Sequence, residues 1–178
     1  MTVAATTELE AINIMLAAIG EAPVNSLTGT VPVDVRLAQS TLTEFNREIQ
    51  SEGWSFNTEI DVTLTRDASN QIALPQNVLR VDANIHQHPT IDPIQRGLKL
   101  YDRLNNKFEF DEDLICTVIY LRTFEEIPEP ARRYINIKAA RVFVDRLVTD
   151  DGLRTYTGQD EVRARAILME TDLANGDH

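Results

Sequence analysis

The hydrophobic period of this chain changes twice. Apolar residues recur at helical spacing up to Gly53, alternate with polar ones over the middle, and return to helical spacing after Pro128. A helix buries a stripe repeating every 3.6 residues and a strand buries every second residue, so the two patterns cannot belong to one kind of element. The reading that follows is an α+β fold: an antiparallel-type helical bundle formed by the N- and C-terminal helices, with an inserted β-strand domain. The boundaries expected from the period changes are residues 1–53 for the first helices, 54–124 for the β-rich insert and 125–178 for the closing helices.

Thr7 with Glu10 three residues later is a capping-box pattern, in which hydroxyl and carboxylate satisfy orphan amides at a helix start. Leu9, Ile12, Leu16 and Ile19 then share a stripe, and Gly20 and Pro23 supply the stop. A second helix begins near Asp34, with Val35, Ala38, Leu42, Phe45 and Ile49 at steps of three and four until Gly53. The link between them, with Pro23, Gly29 and Pro32, reads as a surface loop. After Pro128 and Pro130, which suit a first helical turn, Tyr134, Ile135, Ala139, Val142, Phe143, Leu147 and Val148 form a surface too broad for one neighbour, so this helix is expected at the centre of the bundle. Glu125, Glu126 and Glu129 lie at its positive end. Gly152 breaks it, Thr157 or Asp160 caps a last helix, and Val162, Ala166, Met169 and Leu173 are expected to bury one stripe while Arg163, Arg165, Glu170 and Asp172 face water.

In the middle, Trp54 and Phe56 alternate with Ser55 and Asn57, and Ile60, Val62 and Leu64 alternate with polar neighbours, as in a half-buried strand. Residues 67–71 are turn-prone. Further short strands are expected at 78–85, 98–102, 107–110 and 114–122, with Asn105 and Asn106 turning a hairpin. Residues 86–97 carry Pro89 and Pro93 without periodicity and read as an exposed loop where a partner is met.

Composition excludes several functions. The formal charge is −11, from 28 acidic against 17 basic residues, which disfavours a surface that grips nucleic acid by neutralising phosphates. Cys116 is the single cysteine and reads as a buried, inert thiol beside Ile115 and Val118. The start MTVAATTELE lacks a basic, apolar leader, and no run approaches the ~18 apolar residues of a membrane span, so a soluble, reducing setting is expected. P-loop, GxGxxG and GxSxG patterns are not found, and no cofactor is expected.

Each chemical candidate has a plainer reading. Asp111, Glu112 and Asp113 resemble an acid pair for glycosidic cleavage only in composition, since three adjacent acids on a strand turn diverge. His86 and His88 place two imidazoles on one face of an extended segment, but a zinc site needs further ligands, so no metal is expected. The basic residues Arg132, Arg133, Arg141, Arg146 and Arg154 fit surface ion pairs, with Arg132 and Arg133 beside Tyr134 suited to an interface. His86 and His88 join them as possible interface residues. Trp54 and Phe56 read as anchors where helix passes to strand.

Four segments in order, ELEAINIMLAAIGEAPVNSL, FNREIQSEGWSFNTE, the YDR of Tyr101 to Arg103, and IYLRTFEEIPEPARRYINIKAARVF, resemble the tail tubular protein A family of short-tailed phages. The resemblance implies a structural virion protein: a dodecameric ring that adapts the portal protein to the tail nozzle, extends the channel through which DNA passes without specific binding, and touches no membrane. It also implies that Gly20 and Pro23 form the family's IGE-P turn, that Gly53, Trp54 and Phe56 form its GW-F turn, and that no catalytic residue is required. Other classes carried beside it are a polysaccharide-degrading tail enzyme and a head-completion or tail-joining protein of a long-tailed phage or prophage.

Overall fold

The computed structural model of the chain describes residues 5–84, 86–147 and 156–176. Among these, helices α1 (Glu8–Ala18) and α2 (Val33–Gln50) precede strands β1 (Thr58–Leu64), β2 (Val78–Ala83), β3 (Pro93–Arg96), β4 (Lys99–Asp102) and β5 (Leu114–Tyr120), and helices α3 (Glu129–Leu147) and α4 (Gly158–Gly176) follow. The α+β class and the flanking of a strand region by terminal helices are as expected. Two compact units result: the described residues of Met1–Ile49 and Thr123–His178 form one, and Gln50–Arg122 the other.

In the helical unit, α1 starts on the expected capping box, Thr7 Oγ1 accepting from the Glu10 amide and the Glu10 carboxylate from the Thr7 amide. It ends in a left-handed turn. Gly20 has φ +81, and the amides of Gly20 and Glu21 donate to the carbonyls of Ala17 and Leu16, the two-bond closure that glycine permits without steric cost. Exposed Pro23 follows, and Asn13 then fastens the linker back to α1, its side chain donating to the Val24 carbonyl and accepting from the Val24 amide. Helix α3 is central: it packs on α1 and α4 and reaches α2 through Lys138–Glu48 and Arg146–Glu44 pairs at 2.9 Å. Its buried residues run all along it, from Ala131 and Tyr134 to Phe143 and Val144. Leu147 is exposed instead. Val148, Gly152 and Arg154 lie outside the described residues.

In the strand unit, β5 is the middle of an antiparallel sheet ordered β1-β5-β2. Its core is Ile72, Leu74, Val78, Val81, Leu100, Phe110, Leu114, Cys116 and Val118. Burial pushes the Cys116 thiol up to about 11, with Asp82 adding to the shift, which leaves it unreactive.

Four expectations for this unit are corrected. Trp54 and Phe56 belong to a turn, and the strand begins only at Thr58; Gly53 has φ +84, and buried Asn57 folds its side chain back onto the turn. Ile60 faces solvent because β1 bulges between Glu59 and Val62, where Asp61 sits at φ +57 and two residues oppose one on β5, which reverses the alternation. Residues 107–110 make only isolated bridges, Lys107 to Asp102 and Glu109 to Gln71. Conversely, part of the expected 86–97 loop is a strand: Pro93–Arg96 pairs with Lys99–Asp102 across a two-residue turn at Gly97, φ +62. Proline is tolerated as the first residue of such a ribbon. Ile85 lies outside the described residues.

Candidate functional site

The turn from α2 into the insert is built around two buried amides. Gln50 donates to the Arg122 carbonyl at 2.9 Å and accepts from the Arg122 amide at 2.8 Å. Asn57 donates to the carbonyls of Gln50 and Tyr120, both at 2.9 Å, and accepts from the Trp54 amide. The places where the chain enters and leaves this unit are thereby fastened to each other, and Trp54 is buried in the same turn. Gly53 is required twice over: besides its positive φ, a Cβ there would lie 2.6 Å from Ile119 Cδ1. Phe56 is half-buried.

His86 and His88 do not share an extended face. His86 lies exposed in a turn, its amide held by Asn84 Oδ1. His88 is only 5% exposed. Its Nε2 accepts from the Ile115 amide at 2.9 Å, so Nδ1 carries the proton and donates to Glu112 Oε1 at 2.8 Å. It therefore anchors the segment to the start of β5. Among the described residues no group of three His, Cys, Asp or Glu side chains is arranged to hold a metal ion.

The acidic cluster is likewise committed to structure. Asp111 pairs with Lys107 at 3.1 Å and Asp113 with Arg66 at 3.3 Å. The Arg66 amide, then its guanidinium, hold the Asp113 carboxyl below its ordinary range, the wrong direction for a general acid. Within the YDR segment, buried Asp102 accepts from the amides of Asp92, Leu104 and Asn105 and from the Asn105 side chain. Arg103 ties to Asp92 at 2.7 Å, and Arg96 lies 3.5 Å over the Tyr101 ring. These residues hold the β3–β4 ribbon and the turn after it.

Of the candidate interface residues on α3, Arg132 is spent internally. Its guanidinium donates to the carbonyls of Ile127, Thr6 and Glu125, binding the segment before α1 to the start of α3, where Glu129 also accepts from Thr6. Tyr134 is buried and its hydroxyl accepts from Arg165 at 3.1 Å. Arg133 alone is exposed; it lines a pocket of about 160 Å³ with Thr6, Ile14, Glu129, Asn136 and Tyr156.

Helix α4 turns the opposite way from expectation. Thr157 and Asp160 form its cap, but the side facing α3 is Ala164 and Leu168 with Arg165 and Glu161, the last paired to Arg141 at 2.8 Å. Val162, Met169 and Leu173 are 70%, 48% and 73% exposed, and Ala166 is exposed with them. Periodicity detects an apolar face but not what covers it. Here the small apolar pair Ala164 and Leu168, flanked by polar pairs, takes the place against α3, and the expected apolar stripe is left open.

No helix among the described residues is long and apolar enough to cross a membrane. A family model described as tail tubular protein matches residues 9–178. Tail tubular protein A of Klebsiella phage KP34 is 31% identical over 171 residues, which cover 94% of this chain and 88% of that protein. The chain belongs to the tail tubular protein family and is a structural component of the phage tail.

Proposed function

We propose that this chain is the adaptor of a short tail: it assembles as a dodecameric ring, seats on the portal protein, receives the tail nozzle and extends the channel for DNA ejection, with no enzymatic role. The observation that carries this reading is the similarity to tail tubular protein A along 94% of the chain. A formal charge of −11 supports a channel wall that DNA passes without sticking. The division into residues 1–53, 54–124 and 125–178 serves the same reading, the helical parts meeting the portal and neighbouring copies and the strand insert meeting the nozzle. Arg133 and His86 are exposed and suit such contacts; Arg132, Tyr134 and His88 act by holding the surfaces in shape. Repetition around an axis turns weak contacts into a lasting seal.

Negative-stain microscopy with mass determination of the protein mixed with the portal encoded beside it tests the reading. Rings seated on the narrow end of the portal are expected; free monomers beside bare portals would overturn it. Because residues 93–96 form a strand, polarity is tested by replacing exposed Gln95 and Arg96 rather than deleting the segment. Lost nozzle attachment with intact portal binding is the expected result, and the converse would reverse the assignment of the two units.

A further inference from the structure

We propose that the open stripe of α4, Val162, Ala166, Met169 and Leu173, is one half of a contact between copies of this chain, and that the exposed Val33 and Leu37 of α2 on the next copy are the other half. This rests on the ring reading above and names the surfaces that close it.

The stripe follows steps of four, three and four residues, so it forms one continuous face about three turns long. It is open although α4 already has a neighbour: Ala164 and Leu168 are buried, and the Arg141–Glu161 and Arg165–Tyr134 pairs flank them on the side toward α3. A helix that already buries Ala164 and Leu168 in its own protomer and still turns a second apolar face to solvent is built for a second partner. Val33 and Leu37 are one turn apart on α2, and both are exposed. They are the other pair of large apolar side chains left open on one face of a helix in this unit among the described residues.

Local charge, unlike net charge, favours another copy as the occupant. Two chains carrying −11 each repel over most of their surfaces. The exposed side of α4 beside the stripe carries one Arg163 and one Glu170, and Arg36 stands exposed beside Leu37, so the two faces meet without net repulsion and offer Glu170 to Arg36. Two different faces joined head to tail generate a ring when the rotation closes, whereas one self-complementary face would stop at a dimer. The area agrees. Four side chains expose on the order of a few hundred Å², short of the roughly 800 Å² per partner of a stable isolated pair, which suits a contact each subunit makes twice.

The test uses the full chain, alone and with the portal. The M169E/L173E variant changes exposed residues only, so its circular dichroism and melting should match wild type, while self-association weakens by roughly tenfold to a hundredfold, the loss expected of central contact residues. A chain carrying both L37C and L173C should, on oxidation, give a ladder of oligomers beyond the dimer, and each single variant should stay uncrosslinked; buried Cys116, with its thiol pushed up to about 11, does not compete. Dimers from L173C alone would overturn the head-to-tail pairing. Wild-type rings on the portal with M169E/L173E rings equally stable would overturn this inference and leave the adaptor reading standing. If wild type forms no ring even with the portal, both fall.

Discussion

Single buried polar residues decide the geometry of the insert, and they are the residues hardest to read in a sequence. Gln50 and Asn57 look like ordinary turn neighbours of Gly53, yet each is fully buried and bonds to main chain across the base of the unit. Nothing in hydropathy marks them, because their burial depends on partners more than 60 residues away. Asn57→Leu removes a donor from two carbonyls and an acceptor from the Trp54 amide while keeping the branching and the number of side-chain heavy atoms. Each lost bond in a buried place costs roughly 1–3 kcal/mol, and a destabilisation on the order of 3 kcal/mol is expected. Denaturant titration followed by Trp54, the only tryptophan, reads it in this unit. Gly53→Ala brings two penalties that the sequence does foreshadow, since a glycine at the end of a helical run announces a left-handed turn. The backbone term is about 1–2 kcal/mol, and the contact with Ile119 adds to it. The same titration should show Gly53→Ala destabilised by at least about 1 kcal/mol; an unchanged midpoint would mean that the turn flattens without cost.

At the scale of elements, α1 and α3 are legible because each buries its pattern against its own unit over most of its length. The β3–β4 ribbon is not: its strands are four residues long, their burial is mixed, and the first of them opens on Pro93. Its shape depends instead on Asp102. Burial alone would push that carboxyl up, but the hydrogen bonds from Asn105, Asp92 and Leu104 outweigh it and hold it below its ordinary range. A lowered native value means that the carboxylate contributes stability above the unfolded value of about 3.9, and that this contribution is lost as pH falls through the lowered value. Amide resonances of Leu104 and Asn105 should therefore shift together in acid below about pH 4, before the β1-β5-β2 sheet melts. Asp102→Asn should remove that step. If those resonances hold their positions until global unfolding, Asp102 is not what fixes the turn.

At the scale of the whole molecule, the order helices, strands, helices was written in the period of the sequence, while the outward direction of the last helix was not. An amphipathic pattern specifies a face and leaves its neighbour open; α4 shows the same stripe whether its partner is α3 or another copy. Net charge supplies a discriminating measurement. If copies assemble as proposed, a net charge of −11 on each subunit opposes association at long range, and the contact itself is apolar and close to neutral. Raising salt from about 0.1 M to about 1 M shortens the screening length from about 10 Å to about 3 Å, which removes the repulsion while leaving apolar burial intact or stronger. Self-association measured by sedimentation should therefore tighten with salt. A contact held mainly by ion pairs would loosen over the same range, because screening would then weaken the attraction itself. Tightening that disappears in the M169E/L173E variant would tie the salt response to the α4 stripe; weakening in wild type would place the subunit contact on charged surfaces elsewhere.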